Sequence, residues 1–164
     1  MLTGAVLGAA AMTTGLVAGV FTLYAHTIMP GLGGTDDRTF VGAFQSLDRS
    51  IINPWFMSCF LGALVLTGIS AALHLPADGH GGLPWTAVAF VLYLVVVVIT
   101  LAVNVPRNDA IKAAGDPDQI DDLAGVRRDF GEARWRAWNL VRVVLSLAAF
   151  GCLLVALVRY GGRG

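Results

Sequence analysis

The sequence predicts an all-α chain: an antiparallel four-helix transmembrane bundle with a short interfacial helix in its first loop. Three observations carry this. Hydrophobic residues make up 56% of the 164 residues and the mean hydropathy is +0.71, more apolar surface than a water-soluble fold of this length can bury. Of the 22 charged residues, 20 lie outside four apolar stretches, each close to the roughly 20 helical residues that cross a hydrocarbon core. All four tryptophans, Trp55, Trp85, Trp135 and Trp138, fall at the ends of those stretches, where an indole keeps its N–H among headgroups and its ring in lipid. The chain reads as one domain over residues 1–164, and this composition excludes a disordered chain, a nucleic-acid-binding domain and a disulfide-stapled module.

The first span is expected over Leu2–Met29. It lacks a basic start and outruns a signal-peptide core, so it is expected to remain as a membrane helix. Gly15, Gly19, Thr22 and His26 share one helical face. The Gly15-x3-Gly19 pair permits close backbone approach, within the bundle or as a route to a homo-oligomer. In the first loop, Thr35-Asp36-Asp37 reads as a helix start, and Phe40, Val41, Phe44, Leu47 and Ile51 follow at helical spacing. That is the interfacial helix, Thr39–Ile51, ended by Asn53-Pro54.

The second span is Trp55–Leu75, and the Gly-rich segment 76–84 is a short turn into the third, Trp85–Val105. The third is apolar from Val88 to Val103 apart from Thr100, then runs into Asn104-Val105-Pro106-Arg107-Asn108, where Pro106 is expected to stop the helix. Asp116-Pro117-Asp118 caps a further polar helix. Between Ile120 and the fourth span, Leu140–Tyr160, no breaker is evident, so the fourth helix is expected to extend unbroken out of the membrane.

Net charge is zero, so only local charge informs. The first and third loops hold eight basic residues against Arg159 and Arg163 on the other side, which places those loops in the cytoplasm and both termini outside, in a plasma membrane of bacterial type. Cys59 and Cys152 differ in depth by about 12 Å at 1.5 Å rise per residue, too far for a disulfide.

Nearly all unusual polar residues converge at the first- and third-loop ends of the spans. Thr100 and Asn104 lie one turn apart on the third. On the fourth, Arg128, Glu132, Trp135, Asn139 and Arg142 form one stripe. Arg142 lies deep enough that it either snorkels to the interface or faces a polar pocket, where a planar fork of donors would hold an oxyanion or carboxylate. Asp48 and Glu132 are its candidate counter-ions. Asn104 and Asn108 either cap a helix end or hold a ligand, and His26 either sits among headgroups or faces the bundle. His74, Asp78 and His80 flank the second-loop turn on the opposite membrane face and read as turn residues ahead of a metal site. No phosphate loop, Cys-x-x-Cys pair or Ser-His-Asp set is present.

Four motifs then carry a family resemblance: Met29-Pro30-Gly31-Leu32, Asn53-Pro54, Asn104-x-Pro106-x-Asn108, and Trp135-x2-Trp138-Asn139-x2-Arg142. Over essentially its whole length the chain resembles the anthrone-oxygenase-like family of small four-helix membrane proteins. The resemblance implies oxidation of an anthrone-like or other phenolic polycycle by molecular oxygen, in polyketide chemistry, with no classical redox cofactor. It implies a site of Asn104, Asn108, Trp138, Asn139 and Arg142, with His26 nearby; by its position and its ordinary titration range His26 is the best-placed base for proton abstraction. Asn53, Trp135 and Trp138 are the substrate-binding candidates, the indoles by stacking. Expected partners are membrane lipid and a hydrophobic aromatic small molecule, and no nucleic acid. The alternative is a non-catalytic membrane protein whose polar cluster binds a partner, a lipid, a metal or haem.

Overall fold

A computed structural model describes residues 1–75 and 81–162. Among them every regular element is helical and none is a strand. Four helical segments are long and apolar enough to cross a membrane: Leu2–Gly33, Pro54–His74, Leu83–Ala113 and Leu123–Gly161. The second-loop turn at 76–80, with Asp78 and His80, lies outside the described residues, as does Arg163.

The chain runs through α1 (Leu2–Leu23), a π-helical turn (Tyr24–Ile28), α2 (Met29–Gly33), α3 (Asp37–Ile51), α4 (Pro54–His74), α5 (Leu83–Ile99), a second π-helical turn (Thr100–Asn104), α6 (Val105–Ala113), α7 (Leu123–Phe130) and α8 (Glu132–Gly161). α1 packs on α4 and α8, and α5 packs on the same two helices. Their shared core holds Leu7, Val17, Phe21, Phe60, Tyr93 and Leu153. The Tyr93 hydroxyl donates to the Phe60 carbonyl at 3.0 Å, so the one large polar tip in this core is satisfied.

A second apolar cluster, Met29, Phe40, Val41, Phe44, Ile111, Phe130 and Trp135, caps one end of the four long helices. It gathers the stripe of α3 against α6, α7 and the start of α8. Asp36 starts α3, its side chain accepting from the Thr39 N–H at 2.9 Å, and that bond holds its carboxyl below the usual carboxylate range. Gln45 Nε2 donates to the carbonyls of Ile111 and Gly115 at 2.8 and 2.9 Å, fixing α3 to the end of α6. Arg127 donates to the Gly33 and Thr35 carbonyls and pairs with Asp37 and Glu132, which pins the α2–α3 junction to α7.

Four expectations need correction. Pro106 does not stop the third helix. The chain passes through it into α6, with a π turn before it. Pro30 stands in the same relation to the first π turn: in both cases the proline is the second residue after the turn ends. A proline removes one backbone N–H and crowds the carbonyl four residues earlier, His26 or Ala102 here, and a widened turn relieves that conflict. The fourth helix is not continuous, because Gly131 takes φ +66 between α7 and α8, a left-handed residue of the kind that ends helices. The polar helix of the third loop starts not at Asp116-Pro117-Asp118 but at Leu123, capped by Asp122, which accepts from the Gly125 N–H. Finally, the carboxylates expected to balance Arg142 are engaged elsewhere: Glu132 pairs with Arg127 and Arg136, and Asp48 with Lys112.

Candidate functional site

Where the two π turns face α3 and the start of α8, the structure leaves a cavity of about 250 Å³. Its walls are mostly aromatic and aliphatic, with Phe21 and Tyr24 from the first helix, Phe44 from α3, Phe56 and Phe60 from α4, and Trp135 from α8. Its polar groups are few: Asp48, Thr100, Asn108, Asp109, Lys112 and Arg142. A mainly apolar hollow with a small number of convergent polar groups is the usual form of a small-molecule site. Ile52, Leu61 and Leu101 also line it and are 58%, 53% and 61% exposed. The cavity therefore reaches the surface between the start of α4 and the second π turn, where these apolar residues are exposed, with Asp109 the exposed polar residue of the lining.

Arg142 is the central polar feature. It is 5% exposed, and its guanidinium lies over the Phe21 ring at 4.3 Å and near Trp135 at 5.6 Å. One terminal nitrogen donates to Thr100 Oγ1 at 3.2 Å and the other to Asn139 Oδ1 at 2.9 Å. Asn139 is itself anchored, its Nδ2 donating to the Phe21 carbonyl at 3.0 Å. Nε has no hydrogen-bond partner and no carboxylate stands within ion-pair distance among the described residues. Two neutral oxygens and two ring faces thus orient the cation, and no opposite charge neutralises it. An anion in the cavity would complete it.

On the other side of Trp135 runs a polar chain. Trp135 Nε1 donates to Asn108 Oδ1 at 2.8 Å, and Asn108 Nδ2 donates to Asp48 Oδ1 at 2.6 Å. Lys112 Nζ is 2.7 Å from Asp48 Oδ2 and 3.0 Å from Asp109 Oδ1. α3, α6 and α8 are thereby joined at the cavity wall.

The residues expected from the sequence divide into three groups. Arg142, Asn108 and Trp135 line the cavity, and Asn139 stands behind Arg142. Asn104 is buried at 1% exposure with neither amide atom partnered among the described residues, but it does not line the cavity. His26, Asn53 and Trp138 are not brought there either. His26 is exposed and its ring bonds the adjacent Thr27 hydroxyl. The face of α1 is the reason: its buried side runs through Thr14, Val17 and Phe21, while Gly19 on the stripe that leads to His26 is exposed, and the buried side carries Tyr24 to Trp135, with ring centroids 5.9 Å apart. Asn53 caps α4, accepting from the Phe56 N–H and donating to the Ser50 carbonyl. Gly15 already has a use inside the chain, where an added Cβ would stand 3.0 Å from Phe150. Both cysteines are free.

Lys112, Tyr24 and Phe44 were not anticipated as cavity residues, and Asp48 was expected only as a counter-ion to Arg142. One signal was available: on α3 the stripe of Phe40, Val41 and Phe44 places Asp48 one turn beyond Phe44, an acid where the helix turns its apolar face inward.

The model of the family described as anthrone oxygenase matches residues 56–152, more than half of the chain. The chain belongs to the anthrone oxygenase family. The match takes in Thr100, Asn108, Lys112, Trp135, Asn139 and Arg142, but begins after α3 and so leaves out Tyr24 and Asp48. No curated protein and no solved structure matches the chain at a significant level.

Proposed function

We propose that this anthrone oxygenase family member is a membrane-embedded oxygenase that converts the activated methylene of an anthrone-like or other phenolic polycycle into a ketone with molecular oxygen. The observation that carries the reading is Arg142, a buried guanidinium without a counter-charge at the wall of an aromatic hollow. Loss of a methylene proton turns such a substrate into an enolate whose charge rests on the keto oxygen. Arg142, oriented by Thr100 and Asn139, donates to that oxygen and stabilises the charge as it forms. The electron-rich enolate carbon then reduces oxygen directly, a carbon–oxygen bond forms, and the hydroperoxide loses water: one methylene and one dioxygen give one carbonyl and one water. Phe21, Tyr24 and Trp135 supply ring faces for a flat ligand, and oxygen dissolves readily in so apolar a site. The chemistry invokes no resident redox group. The finer setting belongs to the same proposal: the four long helices form an antiparallel bundle across a bacterial-type plasma membrane, α3 lies at its interface, the first and third loops are cytoplasmic, and lipid, with a second copy on the Gly19 side of α1, surrounds it.

Arg142→Met tests the reading. Removing a cation that has no carboxylate partner strands no opposite charge, so the protein should remain folded in detergent. Conversion of anthrone to anthraquinone, followed by absorbance, should fall by roughly 10²- to 10³-fold per folded molecule, the cost of losing an oxyanion donor. Loss of folded protein with activity per folded molecule intact would instead assign Arg142 to holding the helices together, as in a non-catalytic membrane protein.

A further inference from the structure

Two carboxylates line the cavity, and their environments differ. The Asp109 side chain is 63% exposed and the Asp48 side chain 8%. A carboxylate so deeply buried is costly unless it is paired and hydrogen-bonded. Asp48 has both kinds of partner, Lys112 at one oxygen and Asn108 at the other. The order of the hydrogen bonds is fixed by chemistry, because Trp135 Nε1 can only donate, so Asn108 turns its oxygen to the indole and its NH₂ to Asp48. Asp48 is thus held at the cavity wall by a cation at one oxygen and an amide donor at the other. A strut between α3 and α6 would need no such arrangement at the wall of a hollow.

The position relative to Arg142 completes the case. Arg142 lies near the Trp135 ring at 5.6 Å, and Trp135 reaches Asp48 through the single amide of Asn108. Anion and cation are thus no further apart than an indole and a carboxamide with their contacts. A fused polycycle carries its keto oxygen and its methylene on opposite sides of one ring, so a ligand in the hollow can turn the one toward the cation and the other toward the anion.

We propose that Asp48 is the catalytic base, taking the methylene proton of the ligand while Arg142 receives the keto oxygen; the assignment rests on the oxygenase reading of the cavity. In the first step the C–H bond breaks, an O–H bond forms on Asp48, and the electron pair moves into the enolate. After the enolate carbon has bonded to oxygen, Asp48 returns its proton to the peroxide oxygen. It then takes the second proton from the same carbon as the O–O bond breaks, and the departing hydroxide accepts that proton to become water. Asp48 ends as it began, no net proton leaves the site, and dioxygen is the sole oxidant.

The test separates proton abstraction from oxidation. Anthrone deuterated at its methylene is incubated with the full chain in detergent without oxygen, and loss of deuterium to solvent is read by mass spectrometry. The wild type should wash out the label faster than a detergent blank. Asp48→Asn, which keeps the shape and the Asn108 contact, should slow the washout on the order of 10²-fold or more, while anthrone still quenches tryptophan fluorescence. If that variant aggregates, Asp48→Asn combined with Lys112→Met removes both charges together and carries the same expectation. Washout at the wild-type rate in a folded variant overturns the base and leaves the oxygenase reading standing. The same holds if melting temperature falls while exchange per folded molecule is unchanged. A wild type that neither quenches nor exchanges overturns both.

Discussion

His26 and Arg142 show how differently two polar residues near the ends of apolar spans can be placed. Both were legible as exceptions in the sequence, and for Arg142 the spacing to Asn139 and Trp135 was enough, because α8 is regular over those residues and spacing there equals geometry. For His26 the spacing gave the stripe but not which way it turns: Gly19 on that stripe is exposed, and the buried side of α1 runs instead through Val17 and Phe21. The consequence is testable with one substitution. His26→Ala should leave anthrone turnover unchanged within error in a detergent-solubilised assay, because the ring touches Thr27 and no cavity group; a large loss would return the base to the first helix. Asp48 was read from the sequence only as a counter-ion, because the partner that defines it, Lys112, is 64 positions away and meets α3 only because the third helix continues past Pro106 into α6.

At the scale of elements, the long helices and the first-loop helix were legible from hydropathy and apolar spacing, while their irregularities were not. Pro30 and Pro106 were visible, but a proline in an apolar helix signals a stop and a widened turn equally well, and only packing against neighbours selects the second. The two π turns stand at the same end of the molecule and contribute Tyr24, Thr100 and Leu101 to one cavity. Pro106→Ala should restore ordinary hydrogen bonding and allow the second turn to tighten, rotating Thr100 away from Arg142. We expect an unchanged or raised melting temperature in detergent together with clearly reduced anthrone turnover. A variant with full activity would show that the turn persists without its proline. Gly131 was equally visible, yet a lone glycine within a helical pattern costs only about 1 kcal/mol, too little to mark a break without the structure.

At the scale of the whole molecule, the charge asymmetry of the loops is what the proposed orientation rests on. With eight basic residues in the first and third loops, Gln119→Cys, at an exposed position between α6 and α7, should resist a membrane-impermeant thiol reagent added to intact cells and react once the cells are broken. Labelling in intact cells would invert the topology. The family match covers the second to fourth spans and begins after α3, so Arg142 lies inside the matched region and Asp48, on α3, outside it. The exposed apolar residues Ile52, Leu61 and Leu101 at the cavity carry a consequence for how such a protein meets its ligand. In the membrane setting proposed above they put the hollow in reach of the hydrocarbon phase, and saturation is then governed by the mole fraction of ligand among the lipids and not by its aqueous concentration. Extra bilayer then acts as a diluent, and a compound too insoluble to be measured in water can still be abundant at the door.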